Sequence, residues 1–220
     1  MNERINKIAD EATLLFLRQG YARTQISHIA KAVGVSVGTI YLDFAGKKEI
    51  MYFVLKRTID PDFADRELKK PIADELFAGI EEEVVSLLEQ SDYEFAEHLK
   101  TADTDYSFES LISDAFDLLA RYAVGCLFIE KNQYEFTFLA DHYRAYRKNF
   151  YENMTKYLRL FIENGTVRQV AHLDLTTTMI IEILTWWVMD RRYVSFEVSE
   201  ISLETAKAMC LDNILTAYKA

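Results

Sequence analysis

The chain has 220 residues, 50% of them hydrophobic, with only 2 Pro and 7 Gly, and a formal net charge of -10. A chain of this length with so few breakers can bury a core and favours a mostly helical globular protein. No apolar run approaches the ~20 residues of a bilayer span, and the opening MNERINKIADEA lacks a signal-peptide core, so a cytoplasmic protein without a membrane partner is expected.

The first segment, INKIADEATLLFLRQG, puts Ile5, Ile8, Ala9, Ala12, Leu15 and Phe16 on one helical face, and Gly20 follows as a left-handed stop. Thr24 stands where an N-cap belongs for a second short helix from Gln25, with Ile26, Ile29, Ala30 and Val33 as its buried stripe and Gly34 as its end. Ser36 caps a third helix over residues 37 to 44, in which Ile40 and Phe44 share a face. Two short helices joined at Gly34 make a helix-turn-helix: Ala30 is small where the helices cross, Gly34 accepts positive φ, and Val35 and Ile40 are apolar plugs. Gly38 leaves the front of the third helix bare, so its backbone can approach a phosphate or a base edge. All-α proteins that never touch DNA also contain such helix pairs, and this alternative stays open at the level of mechanics.

Residues 1–57 hold nine Lys and Arg against five Asp and Glu, a head of +4 on a remainder of -14. That is the asymmetry of one small domain meeting a polyanion, although an unevenly charged solvated surface gives it too.

Thr24, Ile29, Ala30, Ala32, Gly34, Val35, Ser36, Gly38, Thr39, Ile40, Tyr41, Phe44, Lys47, Glu49 and Ile50 together resemble the N-terminal DNA-binding domain of the TetR family of transcriptional regulators. Spacing and identity agree over about fifty residues. The resemblance implies that the third helix enters the major groove, with Val37, Gly38, Thr39 and Leu42 at bases or nearby sugar-phosphate. It implies phosphate contacts from Tyr41 and Lys47, with Lys48 and Asp43 also counted in the DNA-binding set and Thr24 and Ser36 adding contacts beside their capping. Two positions depart from the family pattern. Asp43 replaces a His or another aromatic or polar residue, and would repel phosphate unless it meets a cytosine amino group or pairs with Lys47 or Lys48. Val37 stands where many relatives have Lys or Arg, which shifts readout toward thymine methyl groups.

The expected division is a helix-turn-helix head of residues 1–46 and a larger helical effector-binding and dimerisation domain of residues 47–220. A linking helix from Lys47 toward Thr58 is broken by DPDFADRELKKP, and helices are expected over residues 72–90, 93–100, 108–129, 134–163, 174–193 and 202–218. Cys126 and Cys210 fall within apolar helical patterns and read as reduced, buried thiols.

The helix from Asp174 is apolar on more than one side: Ile180, Ile183, Leu184, Trp187 and Val188 form one face, and Met179, Trp186, Met189 and Tyr193 another. Such a helix needs cover from its own domain or from a second subunit. The resemblance implies the latter, with the last two long helices pairing with their copies, so Ile180, Ile183, Leu184, Trp187, Val188, Met209 and Ile214 are the expected homodimer interface. The middle helices carry the expected ligand residues Phe116, Leu119, Tyr122, Tyr143, Arg147, Phe150, Glu182 and Trp186, although an aromatic stripe of this period is usually core. Arg147, at a position that reads as buried, needs an anionic partner, either Glu182 or a ligand.

The four His lack metal-ligand spacing, and no nucleophile elbow, phosphate loop or dinucleotide fingerprint is present, so neither a metal, a cofactor nor an enzyme is expected. The function these features point to is a dimeric regulator, a repressor of a pseudo-palindromic double-stranded operator, released by a small, largely hydrophobic or aromatic effector. An all-α interaction module is the rival.

Overall fold

A computed structural model describes residues 3–101, 106–196 and 201–220, without the side chains of residues 100 and 101. Among these residues there is no strand, only two isolated bridges, Phe44 with Ile72 and Val167 with Lys219. The helices are α1 (Glu3–Gln19), α2 (Ile26–Val33), α3 (Val37–Asp43), α4 (Lys47–Ile59), α5 (Ile80–Phe95), α6 (Glu97–Thr101), α7 (Phe108–Lys131), α8 (Thr137–Glu163), α9 (Leu173–Thr185), α10 (Arg191–Tyr193) and α11 (Leu203–Tyr218). The fold is all-α, as the scarcity of Pro and Gly predicts.

Backbone packing divides the chain into two compact units, Met1–Leu87 with Val124–Asp141, and Leu88–Ala123 with His142–Ala220. The first unit contains the helix-turn-helix. Its core is a set of fully buried side chains from α1 to α4, among them Ile5, Ile8, Phe16, Ile29, Ile40, Phe44, Ile50 and Phe53. Phe44 meets the edge of Phe53 at 5.4 Å between ring centroids, Phe53 lies 5.5 Å from Phe63, and Phe16 lies 6.1 Å from Phe128 on α7. The head's apolar core therefore continues through α4 and into α7, well past the motif boundary at residue 46.

The helix expected from residue 72 starts instead at Ile80, after Gly79 at φ 80°. Residues 72–79 are otherwise occupied: the Ile72 backbone bridges to the chain at residue 44, and Asp74–Phe77 forms a single 3₁₀ turn. Local propensity cannot anticipate this, because the competing partner lies almost thirty positions away in sequence, on the far side of α4.

In the second unit the stripes of α7 and α8 meet: Leu111, Ile112, Ala115 and Phe116 are buried, as are Met154, Leu158 and Phe161. Phe108 and Phe161 lie 5.9 Å apart, and the Tyr157 hydroxyl donates to the Phe95 carbonyl at 2.6 Å. After α9 the helix widens to a π turn at Trp186–Asp190 before α10. Cys126 and Cys210 are both free and buried.

Candidate nucleic-acid interface

The helix-turn-helix forms for local reasons that the sequence exposes. Gly34 ends α2 at φ 82°, and its N–H returns to the Ala30 carbonyl at 3.0 Å, a left-handed cap that a side chain would strain. Ser36 then caps α3, accepting the Thr39 N–H at 3.1 Å, while the two hydroxyls share a 2.9 Å hydrogen bond. Seven residues are too few for a free helix to persist. Ile40 and Phe44, both fully buried, tie its inner face to the core.

The opposite face of α3 is open. Val37 is 40% exposed, Tyr41 49% and Leu42 65%, an unusual set of large apolar surfaces on two turns of helix. Gly38 sits beside them: a Cβ there would meet only the Ser36 hydroxyl, at an ordinary 3.7 Å, so nothing within the protein requires glycine. These positions, with Thr39 and Ser36 at the helix start, are the ones expected to face DNA.

Three expected contact residues are turned to other work. Thr24 is fully buried; its hydroxyl donates to the Gly20 carbonyl at 2.8 Å and accepts from Gln19 Nε2 at 3.1 Å. The cap position of α2 is Gln25, whose N–H donates to His28 Nδ1 at 3.3 Å. Lys47 points inward: its ammonium donates to the carbonyls of Tyr21 at 2.8 Å and Thr24 at 2.9 Å, and stands 4.1 Å over the Tyr21 ring. Burial pulls its pKa below the ordinary lysine value, with Glu135 opposing that shift. Two of its three N–H donors are thereby committed within the protein. Lys48 is half-exposed and pairs with Asp74 at 3.2 Å.

Asp43 is the third, and pairs with neither Lys47 nor Lys48. Its side chain is fully buried, taking Arg4 Nε at 2.5 Å, Arg4 Nη2 at 2.8 Å and Lys70 Nζ at 2.9 Å. Burial alone raises a carboxyl pKa, but the bonds from Arg4 and Lys70 outweigh it and hold Asp43 below the usual range. The position where the sequence departs from the family pattern is thus a buried carboxylate held by two cations.

Asn132 is a residue that sequence reading passed over. It is 1% exposed, its Oδ1 accepts the Tyr21 N–H at 2.7 Å, and its amide donates to the Phe128 carbonyl at 2.8 Å. Tyr21, at the turn between α1 and α2, is therefore held from α4 by Lys47 and from the end of α7 by Asn132. Only a lone Asn between two helical patterns could have hinted at this.

In the second unit, Phe116, Phe150 and Tyr143 are core residues at 1%, 4% and 6% exposure, Leu119 and Tyr122 are half-buried, and Glu182 and Trp186 are exposed. None of the eight expected ligand residues lines the cavity of about 250 Å³ bounded by Ser91, Glu94, Phe95, His98, Tyr106, Asp114, Asp117, Leu118 and Arg121. In that wall His98 and Tyr106 stack at 3.9 Å, and the Tyr106 hydroxyl donates to Asp114 at 2.9 Å. Burial, reinforced by Asp114, raises the Tyr106 pKa, so the phenol stays protonated. Arg147 is 43% exposed rather than buried and lies 4.0 Å from Glu182, the outer limit of an ion pair.

The expected dimer face divides similarly. Ile180, Leu184, Val188 and Ile214 are sealed within their own unit, while Ile183, Trp187 and Met209 are partly exposed. The open stripe of α9 and the π turn is Leu175, Met179 and Trp186, at 63%, 57% and 46%. Periodicity finds both stripes of this helix but not which of them the domain covers.

The fold and this interface define an all-α protein with an N-terminal helix-turn-helix head. Residues 8–51 match the family model for bacterial regulatory proteins of the tetR family. An HTH-type transcriptional regulator, HbdR, of Aromatoleum sp. (strain CIB) is 42% identical over 60 residues, 27% of this chain and 26% of that protein. One of Staphylococcus aureus (strain USA300) is 34% identical over 58 residues, 26% of this chain and 30% of that protein. The matched stretch thus spans under a third of these relatives. The ketosteroid transcriptional regulator KstR2 of Mycobacterium tuberculosis superposes with a TM-score of 0.58 at 15% identity, over 100% of this chain and 97% of that one. The transcriptional regulatory protein RHA5900 gives 0.55 at 15%, over 96% and 97%, and both share the fold. The head of this chain is thus similar to the DNA-binding part of tetR-family regulators.

Proposed function

We propose that this chain is a cytoplasmic transcriptional repressor that binds a pseudo-palindromic operator as a homodimer and leaves it when a small molecule enters the second unit. The observation that carries the reading is the open face of α3: Val37, Gly38, Tyr41 and Leu42 form an exposed surface on a helix whose other side is fixed in the core. Valine and leucine there suit thymine methyl groups, and the bare Gly38 suits close backbone approach. One such head covers few base pairs, whereas two heads about 34–36 Å apart reach successive major grooves. The stripe Leu175, Met179 and Trp186 offers the surface for a second copy. The -14 of the remainder discourages wrapping and leaves phosphate contact to the head.

The effector reading rests on the cavity of the second unit. Glu94, Asp114, Asp117 and Arg121 beside the His98–Tyr106 stack suit a ligand whose polar groups flank an aromatic or alkyl part, less greasy than the sequence suggests. Release follows from linkage: a ligand preferring the form with the wrong head separation lowers DNA affinity by the same factor that DNA lowers its own.

The test is selection from random duplex DNA by the purified protein, repeated with Gly38→Ala and Leu42→Ala. A pseudo-palindrome is expected from the wild type. Both variants should lose it by about tenfold or more in affinity while keeping the melting temperature, Gly38→Ala even gaining a little from helix propensity. A folded wild type that enriches nothing defeats the regulator reading in favour of an interaction module.

A further inference from the structure

The reading of α3 as the DNA-reading helix leaves one cluster unexplained, the fully buried Asp43 between Arg4 and Lys70. We infer that Asp43 and Lys70 are positioning residues that fix the pose of α3 and thereby set operator specificity, although neither touches DNA.

The end of α3 is held more tightly than its length would suggest. Ile40 and Phe44 seat its inner face, but apolar contacts allow sliding and rotation by small amounts. Directional bonds do not. In the last turn, the Asp43 side chain takes Arg4 from the first turn of α1 and Lys70 from the segment before α5. The backbone adds two more bonds: the Ile72 N–H donates to the Asp43 carbonyl at 2.8 Å, and the Ala45 N–H to the Ile72 carbonyl at 2.9 Å. One residue of α3 is therefore clasped by α1 on one side and by residues 70–72 on the other.

The charges explain why this costs little and what it achieves. A buried carboxylate needs compensation, and here two cations supply it while their own heads remain partly in water, Arg4 at 48% and Lys70 at 39% exposure. Ion pairs of this kind contribute little net stability, and their best-attested use is to select one geometry among several. Lys70 lies outside residues 8–51, so the fine geometry of the reading helix depends on a residue beyond the matched head. At Asp43 a direct role is closed, because its oxygens already accept three cationic N–H bonds and its side chain has no exposed surface.

Asp43→Asn separates positioning from ordinary loss of stability by sign. It frees two cations beside the DNA-facing helix, so affinity for random duplex should stay level or rise, while affinity for the selected operator should fall about tenfold. A merely destabilised head would lose both together. Lys70→Ala, a surface change that leaves the core intact, should cost about fivefold on the operator, Lys70→Arg should restore most of it, and the double variant should be no worse than Asp43→Asn alone.

Operator and random-duplex affinities of the full chain, measured at several salt concentrations with melting temperatures alongside, decide it. A reduced operator-to-random ratio in Asp43→Asn with the non-additive double variant is the expected result. An unchanged ratio, equal losses on both DNAs, or a Lys70→Ala loss that lowers the salt slope and adds to that of Asp43→Asn overturns it, the last because Lys70 would then be a phosphate contact. Failure of the wild type to select any operator is a separate result and strikes the regulator reading itself.

Discussion

The two compact units organise their helices in different ways. In the first, short helices are fixed by named polar contacts: Gly34 and Ser36 at their ends, Lys47 and Asn132 on the Tyr21 backbone, Arg4 and Lys70 on Asp43. In the second, the long helices α9 and α11 and the parts of α7 and α8 that belong to it are fixed mainly by apolar stripes such as Ile112, Phe116, Leu158, Leu184 and Ile214. Directional contacts demand particular residue types at particular spacings. Apolar packing demands only volume and period, and many sequences satisfy it. On the proposed function, a head that presents one fixed face to DNA suits the first construction.

The sharpest test of that contrast lies on a single helix of the second unit. Leu184→Ala, in the sealed stripe of α9, should destabilise the protein by about 2–5 kcal/mol in chemical denaturation. Met179→Asp, five residues earlier on the open stripe, should leave the stability of the subunit nearly unchanged yet, on the proposed homodimer, shift the protein toward monomer in analytical ultracentrifugation. If Met179→Asp unfolds the chain and Leu184→Ala does not, the two faces have been assigned the wrong way round.

A smaller effect is expected in the first unit. Asn132→Ala leaves the Tyr21 N–H without its buried acceptor and should cost about 1–3 kcal/mol, with faster amide exchange at Tyr21 as the local signature. Loss of stability without any change in exchange there would mean that the polar contact does not hold the turn.

The smallest belongs to Arg147. With side chains 43% and 63% exposed, and 4.0 Å between them, its pair with Glu182 should be worth no more than about 0.5 kcal/mol in a double-mutant cycle. A larger coupling would restore Arg147 to the place the sequence suggests for it, as a charge under genuine constraint.

Legibility in the sequence follows the same division. Val37, Gly38, Tyr41 and Leu42 were readable as a surface because the intervening Ile40 and Phe44 mark the buried side of a short helix. Thr24, Asp43 and Lys47 were not, since a polar side chain beside a helix end can turn outward to phosphate or inward to a carbonyl with no change in local pattern. Arg4 and Lys70 could not have been matched to Asp43 at all, being 39 and 27 positions away.

What the sequence determined by itself is the set of elements with strong local causes: the amphipathic period of α1, the left-handed turn at Gly34, the cap at Ser36, and the all-α character that scarce Pro and Gly permit. The tertiary structure alone decided which stripe of α9 is covered, where α5 begins once Ile72 is engaged by residues 43–45, and which charges Asp43 and Lys47 satisfy. Local signals fix backbone conformation within a few residues, whereas the burial of a face or a charge depends on whatever the rest of the chain brings against it.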